Sequence, residues 1–187
     1  QEGVDLIEVG IPFSDPLADG PTIQASGTQA LANGMTLKLL MQQLKSIADK
    51  VTVPLVMMGY WNSIINYGVE AFLKDCQTIG IAGAILPDLP VDVYETRYKT
   101  LFDKYDIPMV FLISPNTSEE RIRKIDGISK GFIYAVSSAS TTGSKNNIEG
   151  AETYLKRIQA MHLTNPVVTG FNIKSKSDID FATTYTS

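Results

Sequence analysis

Short apolar runs recur along this chain, and nearly every one leads into a segment with the period of an amphipathic helix. The runs lie at residues 6–9, 55–58, 82–86, 108–113, 131–136 and 166–169. Between them, Leu37, Leu40, Met41, Leu44 and Ile47 repeat at helical spacing behind a capping Thr36, and Phe72, Leu73 and Cys76 do so over 69–78. Tyr94, Tyr98, Leu101, Phe102 and Tyr105 mark a third stripe; Tyr154, Leu155, Ile158 and Met161 mark another. Helical patterns also follow Pro21, ending near Asn33-Gly34, and begin at Ser175, with Ile179 and Phe181. Thr117 with Glu120 forms a capping-box pattern ahead of Ile122 and Ile125. Short buried strands alternating with amphipathic helices predict a parallel sheet covered by helices. Two closures compete: a doubly wound open sheet and a (β/α)8 barrel. The first strand is not followed by GxGxxG, and no Walker A motif occurs, which weakens the nucleotide-binding open sheets. Polar and special residues follow almost every run: Asp15 and Asp19, Asn62, Asp88, Asn116, the Ser/Thr-rich stretch 137–147 and Asn172. A barrel gathers such loops on one rim. Six units fall short of eight.

Composition excludes several classes. The chain has 187 residues, 44% of them hydrophobic, enough for one compact domain. Sixteen basic against twenty acidic residues leave a formal charge of −4, with no basic block to meet nucleic acid or an anionic membrane. No apolar run is long enough to span a bilayer. A single cysteine, Cys76, allows no internal disulfide framework, fits a reducing cytosol, and shares a helix face with Phe72, as a core residue does. His162 stands alone near a helix end, so no Cys/His cluster is available for zinc. Asn116-Thr117-Ser118 meets the glycosylation pattern by chance. No signal peptide is visible, and the opening at Gln1 rather than Met leads one to expect a missing N-terminus.

The stretch richest in chemistry is Leu6-Ile7-Glu8-Val9-Gly10-Ile11-Pro12-Phe13-Ser14-Asp15-Pro16-Leu17-Ala18-Asp19-Gly20-Pro21. It starts as a strand, with Val4, Leu6 and Glu8 on one face and Asp5, Ile7 and Val9 on the other. Glu8 is thus delivered on an apolar face, where a carboxylate is costly unless paired or neutral. Pro12, Pro16 and Pro21 restrict φ and remove donors, so the following loop is shaped. One reading is an active-site edge. The other is a strand-end Glu reaching water, followed by Asx turns and a helix cap.

The order of these residues decides between the readings. The segment from Leu6 through Gln24 closely resembles the signature of the tryptophan synthase alpha chain family. The resemblance continues through Met58-Gly59-Tyr60-Trp61-Asn62, Pro87-Asp88-Leu89-Pro90, Ser114-Pro115-Asn116-Thr117, residues 134–143 and Gly170-Phe171. It implies a TIM (β/α)8 barrel that cleaves indole-3-glycerol phosphate to indole and glyceraldehyde 3-phosphate by a retro-aldol reaction, without metal or cofactor, in the cytoplasm. It also implies a beta chain as partner, in a heterotetramer of two alpha and two beta chains, with pyridoxal phosphate in the beta chain only. The whole of 1–187 corresponds to a single barrel domain, incomplete at about strands 2–7. The first βα unit and the last strand and helix are lacking.

The resemblance assigns residues as well. Glu8 matches the acid/base near indole C3, and burial against Leu6 and apolar neighbours would raise its pKa. Asp19 matches the loop aspartate that binds the indole N–H, and Asp15 is loop structure. Tyr134 matches a tyrosine of the site, with a core tyrosine as the plain alternative. Met58, Ile85, Leu112, Val136 and Phe171 match the apolar slot for indole, with Thr142 beside it. Gly143, Gly170 and Asn172 match phosphate-binding positions, Asn172 standing where the family has Gly. The loops 12–19 and 138–149 match the two that close the site. Two other readings remain: a non-catalytic subunit that binds the partner, and another phosphate-binding barrel lyase or isomerase.

Overall fold

The computed structural model describes residues 3–17, 19–136, 145–170 and 175–186. Two compact units divide the chain, residues 1–109 and 110–187.

In the first unit, β1 (Ile7–Gly10), β2 (Leu55–Met58) and β3 (Gly83–Ile85) form parallel pairs in chain order. The register sets Glu8 beside Val56, Gly10 beside Met58, and Met58 beside Ile85. β2 spans the run foreseen between Pro54 and Gly59, and Val56 and Met57 are buried. α1 (Pro21–Ala32) takes Pro21 at its start, where a missing N–H costs nothing, and ends at Asn33 before the left-handed Gly34. α2 (Leu37–Ile47) is capped by the Thr36 hydroxyl, which accepts from the Leu39 N–H, and buries Met41 and Leu44. α4 (Val69–Ile79) turns Phe72, Leu73, Cys76 and Ile79 inward, the i, i+1, i+4, i+7 set of one helix face. Full burial of each large side chain in that set is worth roughly 1.5–3 kcal/mol. Burial also pushes the Cys76 thiol well above its ordinary range, in line with a core role.

Two elements of this unit differ from the sequence expectation. Trp61 and Asn62 belong to α3 (Trp61–Tyr67) rather than to a loop. Its first turn is capped from a distance: both carboxylate oxygens of Asp88 accept the Trp61 N–H, at 2.8 and 3.0 Å. The helix expected around Tyr94 is α5 (Val91–Val93), a π-helical turn (Tyr94–Tyr98) and α6 (Lys99–Lys104). Across this turn Tyr94 packs edge-on to Phe102, and Tyr98 edge-on to Trp61.

The second unit takes up β4 (Met109–Ile113) from its second residue and pairs it in parallel with β5 (Ile133–Val136), which pairs in parallel with β6 (Val167–Gly170). α7 (Glu119–Ile128) buries Ile122 and Ile125, as expected, but its cap is one residue later than expected. Ser118 accepts from the Arg121 N–H, because the Thr117 hydroxyl is already engaged by the Ser114 N–H at 2.9 Å. α8 (Lys145–Ala160) begins inside the stretch expected to be loop, and its buried residues include Tyr154, Leu155 and Ile158. The exposed His162 follows it in a left-handed conformation. Asp126 on α7 then fastens the approach to β6, accepting from the main-chain N–H groups of Thr164 and Asn165. α9 (Lys176–Ala182) opens with a capping box between Ser175 and Asp178.

Candidate active site

In each unit the singled-out residues that lie on described strands share one face. Parallel partners in register point their side chains to the same side, and every second residue joins them. In the first unit this face carries Glu8, Val56, Met58 and Ile85, interspersed with Gly10 and Gly83. Met58 and Ile85 are the last residues of their strands. In the second unit it carries Leu112, Tyr134, Val136, Val168 and Gly170. Ile85 and Tyr134 are buried; Met58, Leu112 and Val136 are half-buried.

The loops leaving the first three strands are laced together. Ile11 donates to the Met58 carbonyl at 2.7 Å, one step beyond the strand pairing, and Gly59 donates to the Ile85 carbonyl at 3.1 Å. Gly59 permits the first approach: a Cβ there would lie 2.7 Å from the Ile11 Cβ. Phe13 stacks on Tyr60 with centroids 5.0 Å apart, and Asp88 holds the start of α3. The β1 loop is thus fixed at its start. Further along, Ser14 donates to the Asp15 carboxylate, the loop-building role expected of Asp15. Asp19, half-buried, closes the loop just before α1, and its carbonyl accepts from the Gln24 amide.

One expectation for Glu8 is corrected. Its face is apolar, but Glu8 itself is exposed, so the burial expected to raise its pKa is not supplied. β1 is the first strand in the sheet order, and the neighbouring Gly10 adds no side chain. Hydropathy along a strand reports which side a residue faces, not how deeply that side is covered.

Tyr134 takes the plain alternative named for it, that of a core tyrosine. Its ring is buried and lies over Gly170, two residues along β6 from its register partner Val168. A Cβ on Gly170 would meet the ring at 2.0 Å, so this glycine supplies the space the tyrosine fills. Thr142, Gly143, Phe171 and Asn172 lie outside the described residues. Among the described residues, no three His, Cys, Asp or Glu side chains are grouped to hold a metal ion, and no helix is long and apolar enough to cross a membrane.

Parallel strands joined by helices, with Glu8 and the apolar strand ends Met58 and Ile85 on one face, place the chain in the α/β class. Comparison with known proteins makes this particular. A profile of the tryptophan synthase alpha chain family matches residues 1–187, and the chain belongs to that family. It is 58% identical to the tryptophan synthase alpha chain of Flavobacterium johnsoniae over 99% of this chain and 74% of that protein. It is 49% identical to that of Parabacteroides distasonis, over 100% and 73% of the respective lengths. Among solved structures, the tryptophan synthase complex of Pyrococcus furiosus superimposes with a TM-score of 0.87 at 37% identity, covering 96% of this chain and 72% of that one. A Mycobacterium tuberculosis tryptophan synthase gives 0.86 at 30% identity, covering 99% and 70%. The fold class is therefore α/β, an incomplete TIM (β/α)8 barrel. The chain is a lyase of tryptophan biosynthesis, and its reaction is the cleavage of indole-3-glycerol phosphate.

Proposed function

We propose that the cleavage is carried by Glu8 on β1 and by Asp19 in the loop that follows it, with residues 1–187 acting as one barrel domain. The bond from indole C3 to the glycerol carbon breaks once C3 is protonated and the adjacent hydroxyl gives up its proton. Glu8 serves as the acid/base near C3, and Asp19 accepts the indole N–H, stabilising the positive charge that spreads onto nitrogen when C3 is protonated. By the family resemblance, Met58 and Ile85 in the first unit and Leu112, Val136 and Phe171 in the second are indole-facing positions, and Tyr134 and Thr142 are substrate-binding ones. Gly143, Gly170 and Asn172 offer main-chain N–H groups to the phosphate. No step asks for a metal or redox group, so the alpha reaction uses no cofactor. Pyridoxal phosphate belongs to the beta chain, with which this chain assembles as a heterotetramer in the cytoplasm. Support for that partner comes from the neighbouring structures, several of which are tryptophan synthase complexes.

The observation that carries the reading is the register placing Glu8, Met58 and Ile85 on one face at neighbouring strands. Asp19→Asn tests it. The amide keeps the shape of the carboxylate and loses its charge, so kcat for indole release is expected to fall about 100-fold. The fold is expected to stay intact by circular dichroism. A kcat within twofold of the parent would remove Asp19 from this role.

A further inference from the structure

We propose that Arg157 is a positioning residue, which from α8 sets the loop leaving the carboxyl end of β4. The inference rests on the assignment of Leu112 and Tyr134 to the substrate side. One guanidinium nitrogen, Nη2, donates to two main-chain carbonyls of that loop, Pro115 at 3.0 Å and Thr117 at 3.2 Å. The loop is also tied to itself. The Ser114 N–H donates to the Thr117 hydroxyl, and the Thr117 N–H donates to the Ser114 carbonyl, each at 2.9 Å. Arg157 therefore grips a preformed turn rather than creating one. The turn starts two residues after Leu112, whose register partner is Tyr134.

The other side of the guanidinium rests over the buried Tyr154 ring, 5.7 Å from its centroid, one turn earlier on α8. This arrangement is poorly built for stability alone. Arg157 Nε and the Tyr154 hydroxyl are both buried without a partner among the described residues. Such groups are unfavourable, and proteins keep locally unfavourable polar groups chiefly where function demands them. α8 also follows directly on the segment holding Thr142 and Gly143. Arg157 thus ties α8 to the loop leaving β4.

Arg157→Met and Arg157→Lys, assembled with the beta chain and assayed by indole release, test this. Arg157→Met keeps the packing of the stem and loses both hydrogen bonds; kcat/KM is expected to fall about 10- to 100-fold, as a displacement on the order of 1 Å does. Arg157→Lys reaches one carbonyl and restores part of the loss. Added methylguanidinium raises the activity of Arg157→Met, whereas it cannot repair a general loss of folding. A kcat/KM within twofold of the parent, or a loss that methylguanidinium leaves unchanged, would overturn the proposal. Should Arg157→Met fail to fold, Thr117→Val loosens the same turn without touching α8, with the same expected fall and the same twofold limit. The parent and Glu8→Gln are run alongside: an inactive parent counts against the active-site reading, while an active parent beside an unaffected Arg157→Met counts only against Arg157.

Discussion

Replacing Glu8 by Gln is expected to abolish indole release while the protein stays folded. The substitution keeps the side chain's length and shape and removes its capacity to give and take a proton. General acid–base catalysis by a positioned group contributes about 10²- to 10⁴-fold, so the loss should reach that range. The structural cost should be small, because Glu8 is exposed on β1 and surface changes of this kind stay within about 0.5 kcal/mol. The two halves of the expectation separate chemistry from folding. Indole release measures the first, and thermal unfolding of both proteins measures the second. Substantial turnover in Glu8→Gln would take the acid/base role away from this residue.

Gly170→Ala should be the most damaging single-methyl change in the second unit. The added Cβ would sit 2.0 Å from Tyr134 Cε1 and 2.3 Å from both the ring carbon bearing the hydroxyl and the hydroxyl oxygen. A ring cannot yield as the tip of a long side chain does, and Tyr134 is buried. Either the ring leaves its place or β6 moves away from β5. Overpacking of this kind costs about 1–3 kcal/mol. Activity should fall together with stability, because the displaced ring belongs to the same face as Leu112 and Val136. The damage should also be coupled. Gly170→Ala combined with Tyr134→Ala should be less destabilising than the two single changes predict by addition, because the truncated side chain vacates the contested space. Denaturant unfolding of the parent, both single variants and the double variant measures the coupling. Additive losses would show that the ring and the glycine do not compete for the same volume.

What the sequence made legible, and what it did not, follows from the range of each signal. β2 was readable because four apolar residues lie between Pro54 and Gly59, a wholly local pattern. The inward face of α4 and the Thr36 cap of α2 were readable for the same reason. The start of α3 was not, since its N-terminal N–H is capped by Asp88, 27 residues further on. The cap of α7 fell on Ser118 rather than Thr117 because two adjacent hydroxyls compete and the turn at Ser114 takes the first. At the site, the identity of Glu8 and its apolar face were visible, whereas its exposure was not. Gly170 matches a phosphate-binding position through its main chain, but the space its Cβ would take is filled by the Tyr134 ring, a cross-strand relation that no linear pattern carries. The grip of Arg157 on the β4 loop was missed entirely; an arginine on an amphipathic helix reads as solvated surface until its partners, some 40 residues earlier, are in place.

The most direct measurement of the central claim is indole release from indole-3-glycerol phosphate by this protein assembled with the beta chain. The account predicts equal amounts of indole and glyceraldehyde 3-phosphate, formed at a rate that Glu8→Gln reduces at least 100-fold. A folded, assembled protein that releases no indole, or one whose release is indifferent to Glu8→Gln, would contradict it.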